Sequence, residues 1–223
     1  MFPEILPPAI VTLLIQATQQ TLYMVAVSGF IGTAIGLPLG VFLATSRSGE
    51  LFAAPWLNHA LGLVVNAARS TPFIILVVAI IPFTRLIAAP VRGGRGQRLV
   101  TSEATLMADI EAAIREVDQG LVEAARAMGA SPLQIVAKVL LPEALPAISL
   151  ALTLAVVSLL GYSAMVGAVG GGGLGDLGIR FGYQRFMPDV MAAVVIVLIV
   201  LVQLVQSLGD QLARRLDKRN RQS

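Results

Sequence analysis

The segment Leu121–Pro142, LVEAARAMGASPLQIVAKVLLP, decides how this 223-residue chain is interpreted. Leu121–Met128 is rich in good helix formers, and Gly129 suits a helix C-terminus that needs a left-handed residue. Ser131 suits an N-cap, and Pro132 suits the first helical position after it. We therefore expect two short helices broken at a glycine, with a low-relief surface that a partner protein can approach. The second helix is expected to run to Leu141, with Pro142 and Pro146 punctuating the entry to the next span.

Long hydrophobic runs flank this segment and set the class of protein. Of all residues, 56% are hydrophobic and only 13% are charged, whereas a soluble domain has about 25% charged residues. A helix needs roughly 20 residues to cross the hydrocarbon core. Three uncharged runs satisfy this, namely Thr21–Ala44, Ala147–Val169 and Val190–Leu208. A fourth run, Thr71–Thr84, spans only if its helix starts near Ala60 and Arg69 snorkels or is buried.

The charges exclude several other classes. The net charge is +3, but a cluster of basic residues directly follows the last hydrophobic run, as the positive-inside rule expects of a cytoplasmic tail, so no nucleic-acid partner is predicted. These residues are Arg214, Arg215, Lys218, Arg219 and Arg221. The absence of cysteine and the single histidine, His59, argue against a metal site.

The first hydrophobic run contains a stripe of small residues. Gly32, Gly36 and Gly40 recur every four residues, which lets the backbones of two membrane helices approach closely. We assign these glycines to helix packing. Ahead of this run, Ala9–Ile15 is interpreted as an interfacial or partly inserted helix that leads into the first span.

The region between the fourth run and the opening segment is unusually polar. Arg85–Arg98 has four arginines and three glycines, and Leu99–Val117 has too many charges for a span. Its apolar residues nevertheless recur on one face of an amphipathic helix. They are Leu106, Ile110, Ala113, Ile114, Val117 and Leu121. Hydropathy alone therefore gives four spans, with both termini and Arg85–Pro146 in the cytoplasm.

The stretch Gly161–Gly175, GYSAMVGAVGGGGLG, closes the third clear run. Four consecutive glycines disfavour a helix. Two interpretations remain open: the mouth of a translocation path in which Tyr162, Ser163 and Met165 face a substrate, or a connecting loop without ligand contact. The charged residues that follow are expected to be solvated loop residues. They are Asp176, Arg180, Arg185 and Asp189.

Motifs that the sequence lacks indicate how any transport by this chain would be driven. The sequence has no nucleotide-binding P-loop motif, no nucleophile–base pair and no Asp, Glu, Lys or His inside its clear spans. These features argue against an enzyme and against an ion-coupled carrier. A subunit driven from outside is favoured, as a homodimer with the path near its two-fold axis.

The opening segment resembles the "EAA" loop of ABC importer permeases. Glu123-Ala124-Ala125, Gly129 and Val139–Pro142 have the family spacing, with Val139 where isoleucine is usual. Together with RSTPFIIL (Arg69–Leu76) and GYSAMVGAVGGGGLG, they make the chain similar to the membrane permease of bacterial methionine ABC importers.

The resemblance implies an all-α, polytopic membrane protein with five transmembrane helices, its N-terminus outside. Residues 1–223 would be one transmembrane domain in the bacterial cytoplasmic (inner) membrane, with a cytoplasmic coupling segment at 118–146. It would work as a homodimer with two cytoplasmic ATPase subunits, which bind ATP and Mg²⁺, and an external methionine-binding lipoprotein. The ATPase-coupling residues would be Glu123, Ala124, Ala125, Gly129, Leu141 and Pro142.

One region departs from the family. Where relatives have an apolar third span, Pro90–Asp109 is polar, so either a degenerate helix occupies residues 90–117 or local sequence damage has replaced it. The alternatives are an importer for another small amino acid or a methionine derivative, and a non-transporting or inactive membrane scaffold.

Overall fold

The computed structural model describes residues 7–46, 51–52, 54–70, 75, 106–168 and 170–217. Within these residues the chain is helical and has no strand. The helices are α1 (Pro8–Thr45), α2 (Pro55–Ser70), α3 (residues 106–115), α4 (Gln119–Ala127), α5 (Pro132–Ile135), α6 (Leu141–Ala168), α7 (Gly173–Leu177) and α8 (Pro188–Leu216). Two π-helical stretches, π1 (Val136–Leu140) and π2 (Gly178–Tyr183), join α5 to α6 and follow α7.

The chain divides into two compact units. The first takes in the described parts of residues 1–31, 71–101 and 156–205, and the second those of 32–70, 102–155 and 206–223. The helices α1, α6 and α8 each contribute residues to both units. The prediction of a single transmembrane domain over 1–223 stays a prediction.

Three described helices are long and apolar enough to cross a membrane. They extend over Pro8–Thr45, Pro132–Gly167 and Pro188–Leu216. The first and third contain the predicted runs Thr21–Ala44 and Val190–Leu208, and the second covers Ala147–Val169 as far as Gly167. The fourth predicted run, Thr71–Thr84, lies outside the described residues apart from Ile75. The five-helix count therefore stays a prediction, although α2 ends close to this run and carries Arg69 in its last turn.

The helix expected at Ala9–Ile15 leads into the first span as part of the same helix. The first helix begins at Pro8 and continues without a break for 38 residues, about 57 Å at 1.5 Å per residue. Proline favours the first helical position. The hydroxyls of Thr12 and Thr18 donate to the helix's own carbonyls at Pro8 and Leu14, so these polar residues do not interrupt it.

The predicted glycine stripe of α1 faces α3 in the second unit. A Cβ built on Gly36 would lie 3.2 Å from the Leu106 side chain, and one on Gly40 would lie 2.8 Å from Ile110 and 2.9 Å from the Met107 carbonyl oxygen. Gly32 is buried as well. Close helix packing is therefore observed at Gly36 and Gly40.

The amphipathic face predicted for residues 106–117 is also present. Its apolar residues are buried in one cluster beside the C-terminal end of α1. These are Leu106, Ile110, Ala113, Ile114 and Val117. The extension of this face to Leu121 is wrong, because that side chain belongs to the next helix and is 44% exposed. Most of the polar stretch at 90–109 lies outside the described residues.

A side chain of α2 contacts the C-terminal end of α1. The Asn58 amide donates to the Leu43 carbonyl oxygen at 2.7 Å and to the Ser46 hydroxyl at 2.9 Å. It thereby satisfies a carbonyl at the α1 C-terminus that the helix itself leaves without a donor. The amide pairs the end of α1 with the start of α2 inside the second unit.

Candidate functional site

The glycine at the centre of the coupling segment (residues 118–146) ends α4 as the sequence predicts. Gly129 has φ +80°, in the left-handed region. Its N–H donates to the Arg126 carbonyl at 2.9 Å, and the Ala130 N–H donates to the Ala125 carbonyl at 3.1 Å. This pair of bonds is a Schellman motif, which satisfies carbonyls that would otherwise be exposed at the helix end. The turn is therefore a defined structure.

The second predicted cap is also confirmed. Ser131 is the N-cap of α5, with Pro132 at the first helical position. The Gln134 N–H donates to the Ser131 hydroxyl at 3.4 Å, and the Ser131 N–H donates to the Gln134 side-chain oxygen at 2.9 Å. Such a reciprocal capping box orders the start of a helix. Both sides of the Gly129 turn are thus fixed by local hydrogen bonds.

The expectation that Pro142 and Pro146 break the chain before the next span is wrong. The helix runs without interruption from Pro132 to Gly167. Immediately before Pro142 the ladder widens into π1, where the Leu141 N–H donates to the Val136 carbonyl, five residues back. Proline has no N–H and its ring crowds the carbonyl four residues earlier, so a widened turn lets the helix pass it.

The inner face of the coupling segment is firmly packed. Five of its side chains are buried in the cluster that also holds Ile110 of α3 and Ile148 of α6. These are Val122, Ala125, Ile135, Leu140 and Ala144. One apolar core thus connects the segment to the ends of α1 and α6 in the second unit, so the segment cannot shift without moving them.

The predicted coupling residues divide between the two faces. Glu123, Ala124 and Gly129 are exposed, Ala125 is buried, and Leu141 and Pro142 are half-buried. Ala125 therefore holds the segment in place, whereas the exposed residues present backbone and short side chains outward. Their role in coupling stays a prediction.

Two large apolar side chains lie exposed on either side of the Gly129 turn. Met128 is 81% exposed and Leu133 is 70% exposed. Sequence reasoning missed both, because their spacing fits a helix face and does not reveal which side is covered. Apolar side chains that protrude from a polar connecting segment are typical of a protein-binding surface.

A cavity of about 340 Å³ opens beside α4. It is bordered by Glu123 and Arg126 on α4, Arg115 on α3 and Thr45 at the end of α1. The Arg115 side chain is held by Glu111 one turn earlier, at 3.1 Å. The EAA-loop glutamate therefore lies at a polar, solvent-accessible cleft within the second unit.

The three candidate pathway residues do not share one face of α6. Ser163 is buried, and its hydroxyl donates to the Leu160 carbonyl of its own helix at 2.7 Å. Tyr162 is half-buried against Val166, whereas Met165 is exposed. Positions three apart in a helix lie on one side, so Tyr162 and Met165 go together and Ser163 points elsewhere. Their contact with substrate stays a prediction.

The glycine-rich stretch is closely packed. A Cβ on Gly167 would collide with the backbone of Gly175, and one on Gly175 would collide with the backbone of Ala164. Only glycine permits this approach of α7 to the end of α6. Whether this closely packed stretch is the mouth of a translocation path or a connecting loop without ligand contact stays a prediction.

An unpredicted pair of side chains on α1 caps α7. The Thr21 hydroxyl accepts a hydrogen bond from the Leu174 N–H at 2.9 Å, and the Gln20 side-chain oxygen accepts one from the Gly173 N–H at 3.2 Å. The N-cap of α7 is a glycine and has no side chain to do this. Sequence reasoning missed the pair because its partners lie 153 residues apart.

The expectation that Asp176, Arg180, Arg185 and Asp189 are loop charges is wrong for three of the four residues, since Asp189 lies in the first turn of α8. Asp176 lies in α7, and Arg180 lies one turn later in π2. Their carboxylate and guanidinium form an ion pair at 2.6 Å, with the Asp176 side chain largely buried. The charges thus belong to a folded helical element.

Comparisons with known proteins agree with these features. Residues 36–222 match the family described as "Binding-protein-dependent transport system inner membrane component". The chain is 53% identical over 210 residues to the probable D-methionine transport system permease protein MetI of Vibrio cholerae, covering 93% of each protein. It is 36% identical over 222 residues to the methionine import system permease protein MetP of Bacillus subtilis, covering 98% of this chain and all of that one.

A solved structure has the same fold. An inward-facing structure of the MetNI methionine ABC transporter matches with TM-score 0.92 and 43% identity, covering 96% of this chain and 100% of the other. A histidine-containing amino acid ABC transporter matches at TM-score 0.74 and 21% identity, a likeness of fold alone. The length of these matches, the helical fold and the EAA segment lead to one conclusion: the chain belongs to the family of binding-protein-dependent transport system inner membrane components.

Proposed function

We propose that this chain is the permease subunit of an ATP-driven importer that carries methionine across the bacterial cytoplasmic membrane. The observation that carries the proposal is the coupling segment. It consists of two short capped helices, and the second of them is continuous with a membrane-spanning helix. The substrate is inferred from the relatives, since the permeases similar over nearly the whole chain are described as methionine or D-methionine transporters.

The energy would come from a separate ATPase. Two such subunits, each binding ATP and Mg²⁺, would contact the coupling segments of a permease homodimer from the cytoplasm. The exposed Met128 and Leu133 give the segment an apolar surface for this contact. The name of the similar MetNI transporter is in keeping with an assembly of permease and ATPase.

The structure suggests how motion would pass from the ATPase into the membrane. The Schellman motif and the capping box fix the turn at Gly129. A displacement imposed by the ATPase would therefore move the turn as a unit and not deform it. The unbroken helix from Pro132 to Gly167 would transmit that displacement as a rod about 54 Å long at 1.5 Å per residue. The shared core with α1 and α3 would make these helices move together with it.

The placement in the membrane follows from this contact. The coupling segment and the basic C-terminal tail would lie in the cytoplasm, and the end of α6 with α7 would lie at the external face. An external methionine-binding lipoprotein would deliver substrate there. Conformational changes of the permease would then open the translocation path alternately to the two sides of the membrane.

Reconstitution tests the proposal. The permease is co-expressed with the candidate ATPase and receptor, purified, and placed in proteoliposomes with ATP inside or outside. We expect ATP-dependent uptake of labelled methionine, which unlabelled methionine competes away and other small amino acids do not. Uptake of another amino acid would reject the substrate alone. A chain that retains no ATPase and transports nothing would support the scaffold alternative.

The coupling role has its own test. Replacing Glu123 or Gly129 by tryptophan should abolish ATP-dependent uptake, because a bulky ring would hold the partner away from the exposed backbone. The matched control is Gly62→Trp, at a position on α2 where an added Cβ meets nothing within 4 Å. Normal uptake by both coupling variants would contradict the role of this segment.

A further inference from the structure

The turn between π2 and α8 presents two aromatic side chains outward. Tyr183 is 69% exposed and Phe186 is 87% exposed. The membrane-spanning helix α8 begins two residues after Phe186, at Pro188, and its long uncharged run begins at Val190. Nothing in the transport mechanism described above uses these rings.

The backbone holds Phe186 in an unfavourable conformation. Its φ is +52°, in the left-handed region that bulky side chains rarely adopt. The turn is tied by hydrogen bonds from the Phe186 N–H to the Tyr183 carbonyl at 3.4 Å and from the Met187 N–H to the Phe181 carbonyl at 3.2 Å. Strain of this kind persists where the surroundings compensate for it. These hydrogen bonds hold the turn, and the ring of Phe186 is not covered by the described part of the chain.

The position along the chain identifies the surroundings of this ring as the lipid headgroup layer. Phe186 lies four residues before the uncharged run and two residues before α8, which places its ring just outside the hydrocarbon core. The polar layer there is about 5–8 Å thick on each side. Tyrosine and tryptophan concentrate in this layer, and phenylalanine is found on the apolar face of segments that lie in it.

The neighbouring cation supports the same depth. The guanidinium of Arg185 lies 4.5 Å from the centroid of the Phe181 ring, which fixes its orientation beside the turn. An arginine next to exposed aromatic rings suits a surface of lipid phosphates and glycerol esters better than hydrocarbon.

We propose that Tyr183 and Phe186 anchor this end of α8 in the membrane by inserting their rings into the headgroup layer. The anchor fixes the depth at which α8 enters the membrane. It requires the membrane location of the chain but neither its substrate nor its ATPase.

Tryptophan fluorescence tests the anchor, because Trp56 is the only tryptophan in the chain. In a Trp56→Phe background, Phe186→Trp is purified as the full chain and placed in vesicles of phosphatidylethanolamine and phosphatidylglycerol. We expect its emission to be blue-shifted and strongly quenched by lipids brominated near the headgroup end of the acyl chain. Iodide in the water phase should quench it weakly.

Two control variants define the scale. Ile199→Trp on the exposed face of α8 should respond most to lipids brominated deep in the chain, and Met128→Trp in the coupling segment should respond to iodide alone. Tyr183→Trp provides a second reporter at a position without backbone strain, should Phe186→Trp fail to fold.

The anchor is overturned if both reporters are insensitive to brominated lipid, whether iodide quenches them or a second copy of the permease shields them. It is equally overturned if they become shielded only when the external binding protein is added, which would make the turn a protein-docking surface. These signals do not depend on transport, so loss of uptake with normal lipid quenching would reject the proposed function and leave the anchor in place.

Discussion

At the scale of single residues, glycines show why the same residue type has different roles in one chain. A Cβ on Gly40 would lie 2.9 Å from the Met107 carbonyl, a backbone atom that cannot rotate away. A Cβ on Gly62 would meet nothing within 4 Å. Both glycines lie inside helices, so the helix propensity gained by a substitution to alanine is the same at both positions. Only the packing around the new Cβ differs.

We therefore predict that Gly40→Ala destabilises the protein and Gly62→Ala does not. Overpacking costs about 1–3 kcal/mol, more than the roughly 1 kcal/mol that alanine gains in a helix. Thermal unfolding of the purified chain in detergent, followed by size-exclusion chromatography, measures the difference. Equal melting of the two variants would show that α1 and α3 are not tightly packed at Gly40.

At the scale of elements, α7 depends on a distant helix for its first hydrogen bonds. The Leu174 N–H is fully buried and has Thr21 as its acceptor, so removal of the hydroxyl leaves a donor without a partner. Such a loss costs about 1–3 kcal/mol. This element is too short to be stable by itself, because helix formation requires longer segments or tertiary support.

Thr21→Val should accordingly loosen α7, seen as faster hydrogen exchange of the Leu174 amide and a lower melting temperature. Thr21→Ser should restore protection, since it keeps the hydroxyl. Thr18→Val on the same helix is the control, because its hydroxyl only donates to the Leu14 carbonyl of its own helix. Unchanged exchange in Thr21→Val would mean that the hydroxyl does not hold α7.

At the scale of the whole molecule, the coupling segment is firmly packed on its inner face and exposed on its outer face. Its inner face shares one apolar core with α1, α3 and α6, whereas Met128 and Leu133 protrude. A permease that has no nucleotide-binding motif needs such a surface for its partner.

We predict that Met128→Asp and Leu133→Asp each weaken retention of the ATPase during co-purification. Burying a side chain of this size contributes about 1.5–3 kcal/mol, so each loss corresponds to roughly a tenfold or greater decrease in affinity. Glu116→Gln, at an exposed position outside the apolar pair, should retain the partner. Full retention by both aspartate variants, with unchanged helical content, would place the ATPase contact elsewhere.

The sequence by itself determined the features that depend on neighbours in the chain. Hydropathy identified the spanning helices, and the Schellman turn at Gly129 and the capping box at Ser131 follow from residues within five positions of one another. The amphipathic face of α3 was readable for the same reason, since its period is local.

Only the tertiary structure decided which surfaces meet. The link from Thr21 to Leu174, the approach of Gly40 to α3 and the exposure of Met128, Leu133 and Phe186 all depend on elements far apart in sequence. Local patterns also failed at Pro142, where they predict a break, because a widened π turn lets the helix continue past the proline. Propensity acts between near neighbours, whereas burial is set by whatever the rest of the chain, the membrane or a partner places against a surface.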